Sequence, residues 1–337
     1  MNRWKIVGIF VIVGLLALTL KVLYKAGVFT PLDPLPLNAE TIPTPPGIED
    51  LDFDPETGTI FLSSHDRRNF QSTGAIYALK SGQLTNLTDK LGLSEFRPHG
   101  ISFIKTNGHK FLFVISHRDT KNSVLKFIFE GDSLRMINTY SSSEFTTPND
   151  LVAVGENSFF LSNDHGKVGE NLKKWADYVA LPVGNIVYFD GQRSKVVLDR
   201  VAYPNGLAVY DNRLYVASTL GNYIGVYEAE GSNYELKKLK SISVPYAPDN
   251  LMVAGSRIYV AAHPKTLKFL AHAKDSTKIS PSAIFYLEED KPKIVYVEDG
   301  SKLSGSSTAL AVPDPMGDVT LYLGSVYERK ILKLSEK

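Results

Sequence analysis

The sequence predicts an all-β fold, a six-bladed β-propeller of four-stranded blades, behind an N-terminal transmembrane or signal-anchor helix. Three observations predict it. A short polar motif recurs about every fifty residues; a β-rich run follows each copy; and residues 6–20 carry no charge. A period of that length signals a repeat architecture, and several short strands per unit fit a propeller.

The motif copies are Glu49-Asp50-Leu51, Pro98-His99-Gly100-Ile101, Pro148-Asn149-Asp150-Leu151, Pro204-Asn205-Gly206-Leu207, Pro248-Asp249-Asn250-Leu251 and, more weakly, Ser306-Ser307-Thr308-Ala309-Leu310. Each leads into a strand-type run that ends in small or polar residues, such as Ile60-Phe61-Leu62-Ser63, Phe113-Val114-Ile115-Ser116 and Ile258-Tyr259-Val260-Ala261. Aromatic and β-branched content marks a third strand in each unit, as in Ala75-Ile76-Tyr77-Ala78-Leu79. The chain stops shortly after its last third strand, so the segment Leu37 to Ile42 is expected to supply the missing outer strand and close the ring. Leu172, Trp175, Ala176 and Val179 recur at helical spacing within 170–181, an amphipathic helix packed on the blade tops or serving as a lid.

Around Lys21 the N-terminal apolar stretch resumes at Val22, Leu23 and Tyr24, long enough to enter a membrane. Arg3 and Lys5 precede it, and Lys25-Ala26-Gly27 offers no clear small-x-small cleavage site, which favours a retained anchor over a cleaved signal. The organisation expected is an anchor over 1–28, a Pro-rich linker over 29–46 that contributes the closing strand, and the propeller over 47–337. The globular part is expected outside the cytoplasm (periplasmic, luminal or extracellular), or secreted if the segment is cleaved. Asn86-Leu87-Thr88 is an N-glycosylation sequence.

A formal charge of +1 and no long basic run give a nucleic-acid partner no electrostatic footprint. With no cysteine, disulfides, thiolate metal sites and cysteine nucleophiles are excluded. No Gly-x-Ser-x-Gly elbow occurs, which argues against the usual serine hydrolase. Nothing in the chain sets an oligomeric state.

In a propeller the starts of the innermost strands converge near the axis. Here they carry Glu49, His99, Asn149, Asn205, Asp249 and Asn250, two carboxylates and three amide oxygens beside one imidazole. That oxygen-rich set suits calcium rather than zinc. Asp50 and Asp150 follow the first and third of these and point to the other side of an extended chain, where a second cation is expected. Phe96, Tyr203 and Tyr246 flank the motifs and are expected to favour hydrophobic acyl or aryl groups.

Gly47-Ile48-Glu49-Asp50-Leu51, Pro98-His99-Gly100-Ile101-Ser102, Pro148-Asn149-Asp150, Ser162-Asn163-Asp164-His165, Asn205-Gly206, Asp249-Asn250 and His263-Pro264, in this order and at these intervals, resemble the serum paraoxonase/arylesterase family of calcium-dependent lactonases. The likeness spans roughly residues 35 to 337. The resemblance implies two calcium ions: a catalytic one held by Glu49, Asn149, Asn205, Asp249 and Asn250, and a structural one held by Asp50, Asp150 and the backbone oxygen of Ile101. It further implies His99 as general base with His117 as proton shuttle, and His165 and His263 near the site. The expected activity is carboxylic ester hydrolysis of small lactones and aryl esters, with phosphotriesterase side activity. The chain departs from the family in lacking the disulfide of its animal members and in the segment Ser64 to Gly74. The alternatives are a gluconolactonase-like or strictosidine-synthase-like propeller enzyme, or a non-catalytic membrane-anchored propeller that binds a protein partner.

Overall fold

Short antiparallel strands joined by tight turns carry most of the chain, as β-branched and aromatic runs bounded by Gly, Asn and Asp dictate. The computed structural model describes residues 3–118, 121–230, 234–314, 316 and 318–335. The terminal residues of the expected anchor and domain segments, 1–2 and 336–337, lie outside the described residues.

Four separate antiparallel sheets of four strands begin at Pro98, Pro148, Pro204 and Ala247. An eight-stranded sheet joins the first strands of the chain to the last. In it Ile48–Asp54, Thr59–Ser64, Ala75–Lys80 and Gln83–Asn86 form one antiparallel run, and Ser306–Pro313, Val319–Ser325, Lys330–Ser335 and Asn38–Pro43 another. The two runs meet at a single residue pair, Ile48 with Ser325. Asn38–Pro43 pairs with Lys330–Ser335 in antiparallel register, so the chain's beginning covers the edge its end would leave open.

The motif-bearing strands Ile48–Asp54, Pro98–Thr106, Pro148–Ala153, Pro204–Tyr210, Ala247–Ala254 and Ser306–Pro313 lie each against the next, and the last returns to the first. Apolar side chains fill the wedges between neighbouring sheets: Phe113 with Phe159 and Phe189, Val226 with Val260 and Phe285, Ile48 and Leu62 with Leu310 and Ile331. Burying each such ring or branched chain stabilises by about 1.5–3 kcal/mol. Phe96 and Tyr246 belong to these wedges, 1% and 7% exposed. The expectation that they line a substrate pocket is therefore corrected: the residues before the motifs pack sideways into the core, and only Tyr203 reaches the pocket.

Helix α1 (Arg3–Lys25) is the one helix among the described residues long and apolar enough to cross a membrane, and none of its spanning window is buried. The run that follows is pinned rather than free. Leu35 and Val297 exchange backbone hydrogen bonds, Thr266 N–H donates to Ala26 O, and Lys265 Nζ donates to Gly27 O and to Val28 O. Helix α2 (Glu170–Val179) lies where the 3.6-residue period predicts it. Helix α3 (Thr266–Lys274) sits in a connection that the strand pattern passes over.

Candidate functional site

Each motif coincides with a break in strand register. The ladder skips between Pro98 and Ile101, Pro148 and Leu151, Pro204 and Leu207, and Pro248 and Leu251, and between Ile48 and Asp50. A bulge re-aims side chains out of the alternating pattern. It turns His99, Asn149, Asn205 and Asp249 with Glu49 into one cavity of about 430 Å³. Close approach of these strands demands glycine: a Cβ on Gly100 would meet Asp150 Cα at 2.7 Å, and one on Gly206 would meet Asn250 Cα at 2.6 Å.

Four oxygens of the motif residues are buried without a hydrogen-bond partner: Glu49 Oε2, Asn149 Oδ1 and Asn205 Oδ1 in the cavity lining, and Asn250 Oδ1 next to Asp249. Buried polar atoms are almost always satisfied, so four orphans on converging strands call for a ligand. Among the described residues no three His, Cys, Asp or Glu side chains gather as a metal cluster. Amide oxygens must therefore complete any site, and carboxylate plus amide oxygen is the donor chemistry of a hard divalent cation. Asn250 Nδ2 donates to Glu49 O at 3.1 Å, which fixes its amide and leaves the oxygen as the free atom. Burial pushes Glu49 up to about 7, against the pull of the Arg67 guanidinium, and raises Asp249 although His263 Nε2 lies 2.7 Å from its Oδ2. Such carboxylates stay ionised at low cost only beside a cation.

Below them lie Asp50 and Asp150. Asp50 Oδ2 accepts from Ile101 N–H at 2.7 Å, Asp150 Oδ2 from Leu207 N–H at 2.7 Å, and Thr308 Oγ1 donates to Asp50 Oδ1. Burial first, then the charges of Asp150 and Glu49 on Asp50 and of Glu49 and Asp52 on Asp150, raise both well above the usual carboxylate range. Asp52, one pleat further on the same face, is pushed by burial up to about 7 while accepting from Phe103 N–H.

His99 Nδ1 lies 2.7 Å from His117 Nε2, and His117 Nδ1 lies 2.9 Å from Asn122 Oδ1. The amide of Asn122 donates to the carbonyls of Phe145 and Thr146, which fixes its orientation. Its oxygen only accepts, so His117 carries its proton on Nδ1 and accepts at Nε2 from His99. His99 Nε2 is left as a bare lone pair in the cavity, 3.3 Å from Glu49 Oε1. Burial, with Arg67 adding to it, lowers His99 well below the usual histidine value; burial and then His99 take His117 to about 3.

His165 stands at the rim between Asp164 and Asp177, 2.9 Å from each. His263 stacks on Phe269 of α3 with ring centroids 4.0 Å apart. The cavity's outer wall comes from three helices: Val22 of α1, Val179 after Asp177 on α2, and Leu267 and Leu270 of α3. Sequence reasoning does not reach Arg67, Asn122 or the part of this wall that α3 supplies. They sit in connections, where no period repeats.

Comparison with known proteins covers the strand-bearing part of the chain. The arylesterase family matches residues 30–332. Serum paraoxonase/arylesterase 1 of Rattus norvegicus is 30% identical over 74% of this chain and 71% of its own; serum paraoxonase/arylesterase 2 of Homo sapiens is 33% identical over 71% and 69%. Among solved structures, a gluconolactonase from Xanthomonas campestris covers 89% of this chain and 99% of its own at 13% identity and TM-score 0.55. The calcium-binding protein regucalcin from Agrobacterium tumefaciens covers 89% and 94% at 12% and 0.56. At such identities the structural likeness speaks for the fold alone. The sequence likeness runs through all the motif-bearing strands that build the cavity, and the chain belongs to the arylesterase family.

Proposed function

We propose that this protein is a calcium-dependent hydrolase of lactones and aryl esters, built as a six-bladed propeller of four-stranded blades. One observation carries the reading: three orphaned buried oxygens, those of Glu49, Asn149 and Asn205, line one cavity with the unprotonated nitrogen of His99, and the orphaned oxygen of Asn250 lies on the motif beside Asp249. Glu49, Asn149, Asn205, Asp249 and Asn250 would hold one calcium, and Asp50, Asp150 and the Ile101 backbone oxygen a second, deeper one. Calcium bound at the upper site supplies a Lewis acid for the carbonyl oxygen of the ester.

The chain's own residues do the rest. His99 Nε2 takes a proton from water, whose hydroxyl adds to the acyl carbon; the acyl C–O bond breaks, and the proton passes to the leaving oxygen. His117 fixes the tautomer and disperses the charge His99 acquires. Val22, Val179, Leu267 and Leu270 pack the apolar part of the substrate and exclude water.

The base of α1 and the exposed Tyr178, Leu267 and Leu270 line the cavity, with exposed Trp175 on the same helix as Tyr178, so the cavity would face a bilayer entered by α1. The catalytic domain would then lie at the membrane surface, outside the cytoplasm.

The reading is tested by His99→Gln. Phenyl acetate and lactone turnover should fall by about 10²–10⁴-fold, the usual contribution of a general base, with calcium binding and Tm unchanged. Retained turnover would exclude His99 as the base, and lost calcium would make it a structural residue.

A further inference from the structure

Arg67 lines the cavity and is used by neither the oxygen cage nor the histidine pair. It lies in the connection after the strand Thr59–Ser64, and its Nε and Nη2 are buried with no hydrogen-bond partner. Its neighbour is employed otherwise: Arg68 donates to the carbonyls of Tyr327 and His272. The cavity's carboxylates are engaged elsewhere. Asp164 and Asp177 hold His165, Asp249 holds His263, and Glu49 stands against His99.

The charge of Arg67 nevertheless reaches the reaction centre, where it acts on Glu49, His99 and His117. Glu49 and Asp249 would offset the two charges of a bound calcium, while Asp164 and Asp177, which flank His165, leave the Nε and Nη2 of Arg67 without a hydrogen-bond partner. A planar fork with idle buried donors is relieved by an anion that presents two parallel oxygens. A neutral ester offers none.

We propose that Arg67 is a specificity residue that binds a carboxylate carried by the substrate away from the scissile bond, so that preferred substrates are lactones or aryl esters with a free carboxylate on an apolar body. This rests on the hydrolase reading. The geometry suits an amphiphile, with its anionic end on Arg67 and its apolar body on Val22, Leu220, Leu267 and Leu270 across the cavity.

The test uses the full chain in detergent with saturating calcium, and 4-acetoxybenzoate against its neutral twin 4-acetoxybenzamide. Wild type should prefer the benzoate, and the preference should shrink as ionic strength rises, which needs no variant. Arg67→Met should lower kcat/KM for the benzoate about 10- to 100-fold more than for the benzamide, the scale of one charge-assisted bidentate contact on top of any effect of the lost charge on Glu49 and His99 that both esters share. Arg67→Lys, which keeps the charge without the fork, should fall between. Calorimetry with the products, 4-hydroxybenzoate and 4-hydroxybenzamide, reads the same contact without turnover: only the benzoate should bind more weakly to Arg67→Met. An equal fall for both esters would place Arg67 at the reacting carbonyl and overturn the proposal, as would a wild type indifferent to the carboxylate. Should neither ester be hydrolysed, the hydrolase reading fails, and the calorimetric arm decides the role of Arg67 by itself.

Discussion

Asn122 decides what His99 can do. Because its oxygen accepts from His117 and its amide is held by two carbonyls, the proton pattern along Asn122, His117 and His99 has one arrangement that leaves a lone pair in the cavity. Asn122→Leu should free the His117 tautomer and cut turnover about 10-fold or more, a part of what a positioned base supplies, with calcium affinity unchanged. Steady-state kinetics beside a calcium titration checks it; unaltered turnover would mean that the tautomer is set elsewhere. His99 and His117 were legible because one lies in a repeated motif and the other ends the adjoining strand. Asn122 was not, since it sits in a connection where nothing recurs. Nor do residue types announce the register breaks that swing the motif side chains inward.

The roof is made of helices, and one of them is held by a titratable group. His165 ties Asp164 at the rim to Asp177 on α2, with the ring of Tyr203 against it and Glu170 on the same helix within reach of its charge. Burial works against the imidazolium, but the bonds and charges of Asp164 and Asp177 outweigh it and raise His165 from 6.5 to about 9. A raised folded-state value means that this contribution is complete below about 6.5 and is lost as pH climbs through about 9. Helix α2 should therefore loosen at alkaline pH. Trp175, observed alone in a Trp4→Phe background, should report a transition near pH 9 that His165→Gln abolishes. A flat wild-type profile would show that packing, rather than the ion pair, holds α2.

The seat of α1 makes a second case. Gly27 has φ +72, and a Cβ there would meet Pro264 O at 2.1 Å. Gly27→Ala should unseat the helix base, lower stability by about 1–3 kcal/mol and raise KM for long-chain esters without altering calcium affinity. An unchanged KM would mean that α1 forms no part of the substrate wall. Helix α2 was readable from its 3.6-residue period. The nine-residue α3 lay between two strands whose pattern dominated its surroundings, and the docking of α1 depends on contacts with residues some two hundred positions away, such as Asn222 Nδ2 donating to Lys25 O.

At the scale of the molecule, the apolar residues fill wedges between sheets and leave the centre to buried carboxylates and amides. The period of about fifty residues made the all-β architecture legible, because each unit needs its neighbours to bury its faces. The pairing of Asn38–Pro43 with Lys330–Ser335 followed from counting strands. What a count could not give is the state of the centre: Glu49, Asp50 and Asp150 share a buried interior, raised by burial and, for Asp50 and Asp150, by neighbouring carboxylate charges. Without cations this assembly would be costly to keep ionised, so a cation bound there would be linked to folding. The most direct test is a calcium titration of the chelated full chain by calorimetry, wild type against Asn205→Ala. The account predicts two sites of unequal affinity in the wild type, with loss of the Asn205 oxygen weakening one of them at least about 10-fold and sparing the other. Wild-type protein that binds no calcium, or an Asn205→Ala variant that binds both ions as the wild type does, would contradict it.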